Sequence, residues 1–293
     1  MRFRLIFIAL LIICFLQTIP AHSESSEILS IPHGTTAIDN SLLSSFPENQ
    51  RFSSVYIPET VTSINFDVFQ KAYFSTVESY CVSELNPCYQ SVDGAIYSKD
   101  GKYYYMYPRG RETASYVISQ GVETIGKFAF FEADIDCVYF PDSLVAIEDC
   151  AFFYSEIMYA RFNDGLSAIG DFAFMCCNLE GVSLPSTLKY IGCEAFSGCS
   201  LDYVEIPEGV LEIGGGAFAY NQLSVLLLPS TLDVIGYDII GWNHMEDEDY
   251  FTTVIVTSGT LADQYASVYL SDYNIRRIDK QILNDETSLN ETL

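Results

Sequence analysis

Five copies of one motif recur every 22 residues through the middle of the chain. They read Ile125-Gly126-Lys127-Phe128-Ala129-Phe130, Ile147-Glu148-Asp149-Cys150-Ala151-Phe152, Ile169-Gly170-Asp171-Phe172-Ala173-Phe174, Ile191-Gly192-Cys193-Glu194-Ala195-Phe196 and Ile213-Gly214-Gly215-Gly216-Ala217-Phe218. Ile235-Gly236 keeps the spacing once more before the pattern fades. A fixed period in the twenties admits few folds. Each unit is too short to bury its own apolar face, so like positions must stack and their Ile and Phe ladders become the core.

The unit extends beyond this motif. Leu179-Glu180-Gly181-Val182-Ser183-Leu184-Pro185, Leu201-Asp202-Tyr203-Val204-Glu205-Ile206-Pro207 and Leu223-Ser224-Val225-Leu226-Leu227-Leu228-Pro229 share one frame. Its alternating end reads as a short strand with every second residue facing inward. Proline then stops the strand, since it has no N–H to give to a ladder. A turn follows, then Ile-Gly, and Ala-Phe is expected in one tight helical or 3₁₀ turn. Seven or eight coils at the strand spacing of ~4.8 Å would stack to on the order of 35 Å.

Looser coils flank the strict array. Ile57-Pro58 with Val61, Ile64 and Phe69 makes one, and Ile31-Pro32 with Ile38 makes a degenerate N-terminal cap. An insertion between Phe69 and Ile118 carries two aromatic-rich strands over 95–108, and its Asp100-Gly101 suits a type I′-like hairpin turn. The C-terminal run Val254-Ile255-Val256, Leu261-Ala262-Asp263-Gln264-Tyr265-Ala266 and Ile275-Arg276-Arg277-Ile278 reads strand, helix, strand, placed to cover the last open edge. The organisation expected is therefore a signal segment at 1–23, irregular coils and hairpin to about 112, regular coils at about 113–241, a cap at about 242–279 and a polar tail at 280–293.

Export follows from the first residues. Met1-Arg2-Phe3-Arg4 is basic, 5–16 is apolar, and Ala21-His22-Ser23 offers a small-x-small cleavage site, the arrangement of a secretory signal peptide. Without residues 1–23 the chain has 12 basic residues against 39 acidic ones, a formal charge of −27. Such a surface repels nucleic acid and anionic membranes. After signal cleavage no membrane insertion is expected.

Eight cysteines remain after cleavage, and export permits disulfides. Cys177 and Cys199 each fall three residues after a motif Phe, where other coils carry Asn221, Ser155 and Ala133. A slot that takes small residues with modest hydrogen-bonding capacity suits a buried free thiol. Cys81 and Cys88 bracket Asn86-Pro87 outside the regular coils, and both a local disulfide and free thiols remain open for them. No cysteine pair has zinc-ligand spacing with a histidine nearby.

The units at 184–199 and 206–218 closely resemble BspA-like leucine-rich repeats. The hairpin beginning Asp93-Gly94-Ala95-Ile96-Tyr97 and the terminal Gly259-Thr260-Leu261-Ala262 look like further elements of that family. The resemblance spans about residues 28–279. It implies an α/β leucine-rich-repeat solenoid, a right-handed horseshoe with short parallel strands on its concave face. It also implies an exported protein of a bacterium or mucosal protozoan that adheres to host matrix or surface proteins. The family brings no catalytic residues and no cofactor. Some coils depart from its pattern: Ile118-Ser119 and Phe162-Asn163 lack the proline, Ile147 lacks its glycine, and Ile239-Ile240 replace Ala-Phe.

Catalytic chemistry finds little support in the residues. His33 and His244 are the histidines left after cleavage, far apart and outside the regular coils, with no nucleophile context. Met245-Glu246-Asp247-Glu248-Asp249 reads as a solvated acidic loop, with calcium as the alternative, and Asn290-Glu291-Thr292 is a formal glycosylation acceptor. No metal or cofactor is assigned. The informative surface is the strand face, because strand side chains alternate between core and solvent. One outward column runs Tyr56, Val117, Tyr139, Arg161, Ser183, Glu205, Leu227, and the other runs Ser54, Ser115, Cys137, Tyr159, Gly181, Tyr203, Val225. Tyr139, Tyr159, Arg161 and Tyr203 would cluster there, and Tyr and Arg dominate interface energetics. They form the candidate binding patch, with Asp202 and Glu205 adding charge selectivity. The function expected is non-enzymatic capture of an extracellular protein. Carbohydrate recognition and an accessory role to an extracellular hydrolase are the alternatives.

Overall fold

The strands form where an inward residue stands between two outward ones. Ser115–Val117, Cys137–Tyr139, Tyr159–Arg161 and Tyr203–Glu205 each bury the middle side chain. These segments pair in parallel one repeat apart, Val138 with Tyr116, Ala160 with Val182 and Val204 with Leu226. The computed structural model describes residues 27–44, 50–243, 252–269 and 275–283. The signal segment, His244, the 245–249 cluster and Asn290 lie outside the described residues.

The chain is a β-solenoid of about eleven turns with mostly parallel strands and few helices. That exceeds the seven or eight expected from the motif, because degenerate coils add strands at both ends, in a separate sheet before the array and in the sheet of the last repeats after it. Glu27–Ser30 and Phe52–Ile57 pair before the array, and Thr252–Val256 and Ile275–Asp279 pair after it. The regular 22-residue repeats contain no helix. Among the described residues α-helix is confined to Asn40–Leu43, Leu261–Tyr269 and Lys280–Leu283, and 3₁₀ helix to Phe66–Gln70 and Ala72–Phe74 in the degenerate Ile57 coil.

Ile-Gly forms a second parallel strand that the sequence reading did not assign. Thr124–Ile125, Ala146–Ile147, Ala168–Ile169, Tyr190–Ile191, Glu212–Ile213 and Val234–Ile235 pair with isoleucine beside isoleucine. Two residues are too few for alternation to be legible in sequence. The glycine that follows has a steric cause. A Cβ on Gly192 would lie 2.4 Å from the carbonyl carbon of Gly170, and one on Gly236 would lie 2.1 Å from the Gly215 nitrogen. Only glycine lets the two backbones come so close.

Ala-Phe lies on the third side, in left-handed turns and not in the helical or 3₁₀ turn expected. Phe128, Cys150, Phe172, Glu194, Gly216 and Asp238 have positive φ, as do Glu132, Tyr154, Cys176, Gly198, Tyr220 and Trp242. This conformation turns amides toward the next coil: Phe152 N–H donates to Ala173 C=O at 2.7 Å and Phe174 N–H to Ala195 C=O at 2.7 Å. Neighbouring coils thus hold residues that would otherwise resist φ > 0. Inside, the motif rings stack nearly parallel, Phe130 on Phe152 at 4.6 Å, Phe152 on Phe174 at 4.8 Å, Phe174 on Phe196 at 5.3 Å and Phe196 on Phe218 at 5.4 Å. Tyr104 begins the stack 5.0 Å from Phe130. At the other end the hydroxyl of Tyr265, on the helix Leu261–Tyr269, accepts from Ile239 N–H at 3.0 Å and closes the ladder.

The insertion is part of the stack. Tyr103–Met106 pairs in parallel with Thr124–Ile125, and antiparallel strands Ala95–Ser98 and Tyr89–Val92 extend the same sheet. Ile96 and Met106 face an N-terminal core, whereas Ala95, Tyr97 and Tyr104 face the main one, so this meander joins the two. The two-residue turn with both φ positive is Asp93-Gly94; at the expected Asp100-Gly101 only Gly101 is left-handed. Arg109 seals the junction. Its buried guanidinium pairs with Glu132 at 2.7 Å and donates to the carbonyls of Phe69 at 3.3 Å and Lys71 at 3.1 Å.

Cys177 and Cys199 occupy the expected slot. Their thiols donate to the previous coil's motif carbonyls, Phe152 at 2.9 Å and Phe174 at 3.1 Å, where Asn221 donates to Phe196 at 2.8 Å. Burial pushes the Cys177 thiol up to about 12, which keeps it protonated and unreactive. The disulfide left open between Cys81 and Cys88 is absent, and both are free thiols. Buried Asn86 closes that loop. It donates to the carbonyls of Pro58 at 2.9 Å and Val61 at 2.8 Å and accepts from the amides of Cys88 and Tyr89.

Candidate interaction face

On the strand face the inward residues hold the sheet to the core and the outward ones meet solvent. Tyr139 and Tyr159 are each 55% exposed and Tyr203 is 50% exposed, a large apolar area to leave in water. The register that sets Cys137 beside Tyr159 sets Tyr139 on the strand next to Arg161. The strand Gly181–Ser183 then intervenes before Tyr203–Glu205, so Tyr159 and Tyr203 stand two rungs apart, about 10 Å at strand spacing. Tyr139, Tyr159 and Arg161 form one group, and Tyr203 with Glu205 forms another.

The side chains of Tyr139 and Arg161 make no hydrogen bond, ion pair or ring contact among the described residues, and both are exposed. The Tyr159 hydroxyl donates to Glu180 at 2.6 Å, and this bond raises the phenol above its ordinary range. Tyr203 donates to Glu205 at 3.2 Å; partial burial, then that carboxylate, raise it too. Both hydroxyls are fixed by carboxylates, which leaves ring surface for contact. Asp202 is exposed as well, and its carboxylate accepts from the Ser224 amide at 3.2 Å, tying two coils together. Glu180 stands beside Tyr159, a neighbour that the column reading passed over.

The strand ladder is interrupted within this patch. Gly181–Ser183 ends one four-stranded sheet and Tyr203–Glu205 begins another. Two neighbouring rungs carry the flanking bonds, Val225 N–H to Asp202 C=O at 3.3 Å and Phe162 N–H to Ser183 C=O at 3.3 Å, whereas among the described residues Phe140 N–H makes none to Arg161 C=O on the singly paired rung before them. The equivalent amides, Tyr203 and Leu184, have no such partner among the described residues. The side chains beneath respond. Val182 and Leu184 are only partly buried, while their counterparts Val138, Val204, Phe162 and Ile206 are buried.

Among the described residues no group of three or more His, Cys, Asp or Glu could hold a metal ion, and no helix is long and apolar enough to cross a membrane. His33 is the one histidine among them, and it pairs with Glu59 at 3.0 Å on the surface.

Comparison with known proteins agrees with the fold. The profile of the BspA type leucine rich repeat region matches in six copies, over residues 21–85, 103–224 and 167–241. No curated protein matches. A leucine-rich repeat protein from Eubacterium ventriosum is similar in structure, with a TM-score of 0.57, 20% identity, and coverage of 70% of this chain and 55% of that one. The pneumococcal vaccine antigen PcpA gives a TM-score of 0.51 at 20% identity, covering 88% of this chain and 61% of that one. The chain therefore spans less than two thirds of either structure. Identities this low show a common fold alone. The repeat profile covers most of the chain, and this protein belongs to the BspA-type leucine-rich-repeat family.

Proposed function

We propose that the chain is an exported, non-enzymatic binding module that captures an extracellular protein, such as a host matrix or surface protein, on its strand face. The observation that carries this reading is the exposed group of Tyr139, Tyr159 and Arg161 on adjacent strands. Rings held by a rigid sheet lose little entropy on binding, and an unpaired guanidinium is available to a carboxylate or carbonyl. The basic, apolar N-terminus supports export, and likeness to a vaccine antigen is in keeping with it.

The test is a pull-down from host surface proteins with the purified chain at physiological salt, where nonspecific charge attraction is screened. Tyr159→Ala with Arg161→Ala abolishes capture. Stability changes by no more than about 0.5 kcal/mol per site, as surface substitutions do. Undiminished capture by the double variant removes this patch. Binding to a glycan array in place of protein would move the reading to carbohydrate recognition.

A further inference from the structure

We propose that the break between Gly181–Ser183 and Tyr203–Glu205 is the anchor point of the interface, and that it takes an extended cationic polypeptide segment with one apolar side chain seated between the two coils. This rests on the strand-face reading above and names its partner chemistry.

The break is local to one side of the solenoid. The same two coils remain joined through Tyr190 with Glu212 and Ile191 with Ile213, and through Glu194 N–H to Gly215 C=O at 2.9 Å and Phe196 N–H to Ala217 C=O at 2.8 Å. Just before the strands the two coils are also joined by Ser200 N–H to Leu179 C=O at 2.8 Å, so the pairing lapses along the strands Gly181–Ser183 and Tyr203–Glu205 themselves. Along this lapse the amides of Tyr203 and Leu184 have no ladder partners among the described residues, and Val182 and Leu184 are only partly buried. Backbone N–H groups on an edge seek acceptors, and a polypeptide in extended form supplies them while placing alternate side chains toward the sheet.

Shape and charge define the rest of the ligand. Gly181 leaves a hollow in the outward column: a Cβ there would touch Tyr159 alone, at 3.5 Å. Tyr159 and Tyr203 wall that hollow on either side, which suits a single apolar side chain above Val182. Glu180, Asp202 and Glu205 border it, all exposed. Arg161, one strand away, is the sole basic residue near them on this face among the described residues, in a chain of formal charge −25. Exposed carboxylates around tyrosine rings favour a lysine or arginine beside the apolar anchor, through ion pairing and cation–π attraction.

The test pans a displayed random-peptide library on the purified full chain at physiological salt. The selected peptide is then titrated by calorimetry against the parent chain and its variants. Enrichment of Lys or Arg next to Leu, Ile or Phe is expected. Gly181→Val, which fills the hollow, lowers affinity at least about tenfold, roughly the worth of one well-seated side chain. Glu205→Gln weakens binding several-fold and flattens its salt dependence. Tyr237→Ala, on another side of the solenoid, leaves it unchanged. Each variant is checked for the parent melting temperature, and should Gly181→Val fail that check, Glu205→Gln decides. Acidic winners, no winners, or affinity indifferent to both seam variants overturn the proposal. If such peptides still depend on Tyr159 and Arg161, the seam falls and the strand-face reading stands; if they depend on neither, both fall.

Discussion

Replacing Phe174 by alanine lowers the stability of the purified chain by about 3–5 kcal/mol, the range for a large ring removed from a packed core. Phe174 is fully buried at the centre of the aromatic stack, 4.8 Å from Phe152 and 5.3 Å from Phe196, with Phe162 at 5.8 Å. Each coil contacts only its neighbours, so the chain's stability is close to a sum of coil terms and interface terms. Losing this ring weakens two interfaces at once. The backbone on either side is tied by bonds of 2.7 Å from Phe152 N–H to Ala173 C=O and from Phe174 N–H to Ala195 C=O, so collapse into the cavity is restricted. A urea titration followed by tyrosine fluorescence reads the change. A loss under about 1 kcal/mol would show that the ring is not a core element.

Gly192→Ala has the second large effect, and Gly181→Ala is its control. A methyl group at 192 would meet the Gly170 carbonyl carbon at 2.4 Å and the Asp171 nitrogen at 2.5 Å. Both are backbone atoms of a bonded neighbour and cannot rotate aside. The coils must separate along the Ile ladder, and overpacking of this kind costs about 1–3 kcal/mol or more. The same change at 181 meets only ring carbons of Tyr159, at 3.5 and 3.8 Å, ordinary contact distances. That variant keeps its melting temperature or gains slightly, since glycine weakens a strand. Equal effects at the two sites would mean that glycine serves backbone freedom, not close approach.

These two glycines show what was legible in the sequence. The Ile and Phe ladders announced themselves because a period repeated five times needs no structural knowledge to read. The outward columns followed from simple alternation, which placed Tyr139, Tyr159, Arg161 and Tyr203 on the exposed face. Other features carried no repeat-wide signal. The second strand is two residues long, and the left-handed turns accept Phe, Cys, Glu, Tyr and Trp at positions where glycine alone would have marked them. Asn86, which closes the Cys81–Cys88 loop without a disulfide, occurs once. The break beside Gly181 was the least visible. Its one trace was a glycine among tyrosines in an outward column, and its cause is a loss of backbone pairing between coils whose sequences match the consensus well.

Native-state hydrogen exchange tests most directly whether the coils are bonded along the Ile ladder yet unpaired on the strand face between Gly181–Ser183 and Tyr203–Glu205. The amides of Gly170, Gly192, Gly214 and Gly236 donate across the Ile ladder at 2.7–2.8 Å and should exchange only through large-scale opening. Tyr203 and Leu184 should exchange at least about tenfold faster than Val225 and Phe162, which hold the same places in closed coils. Equal protection at all four of those positions, or rapid exchange along the glycine series, would contradict the structure described above.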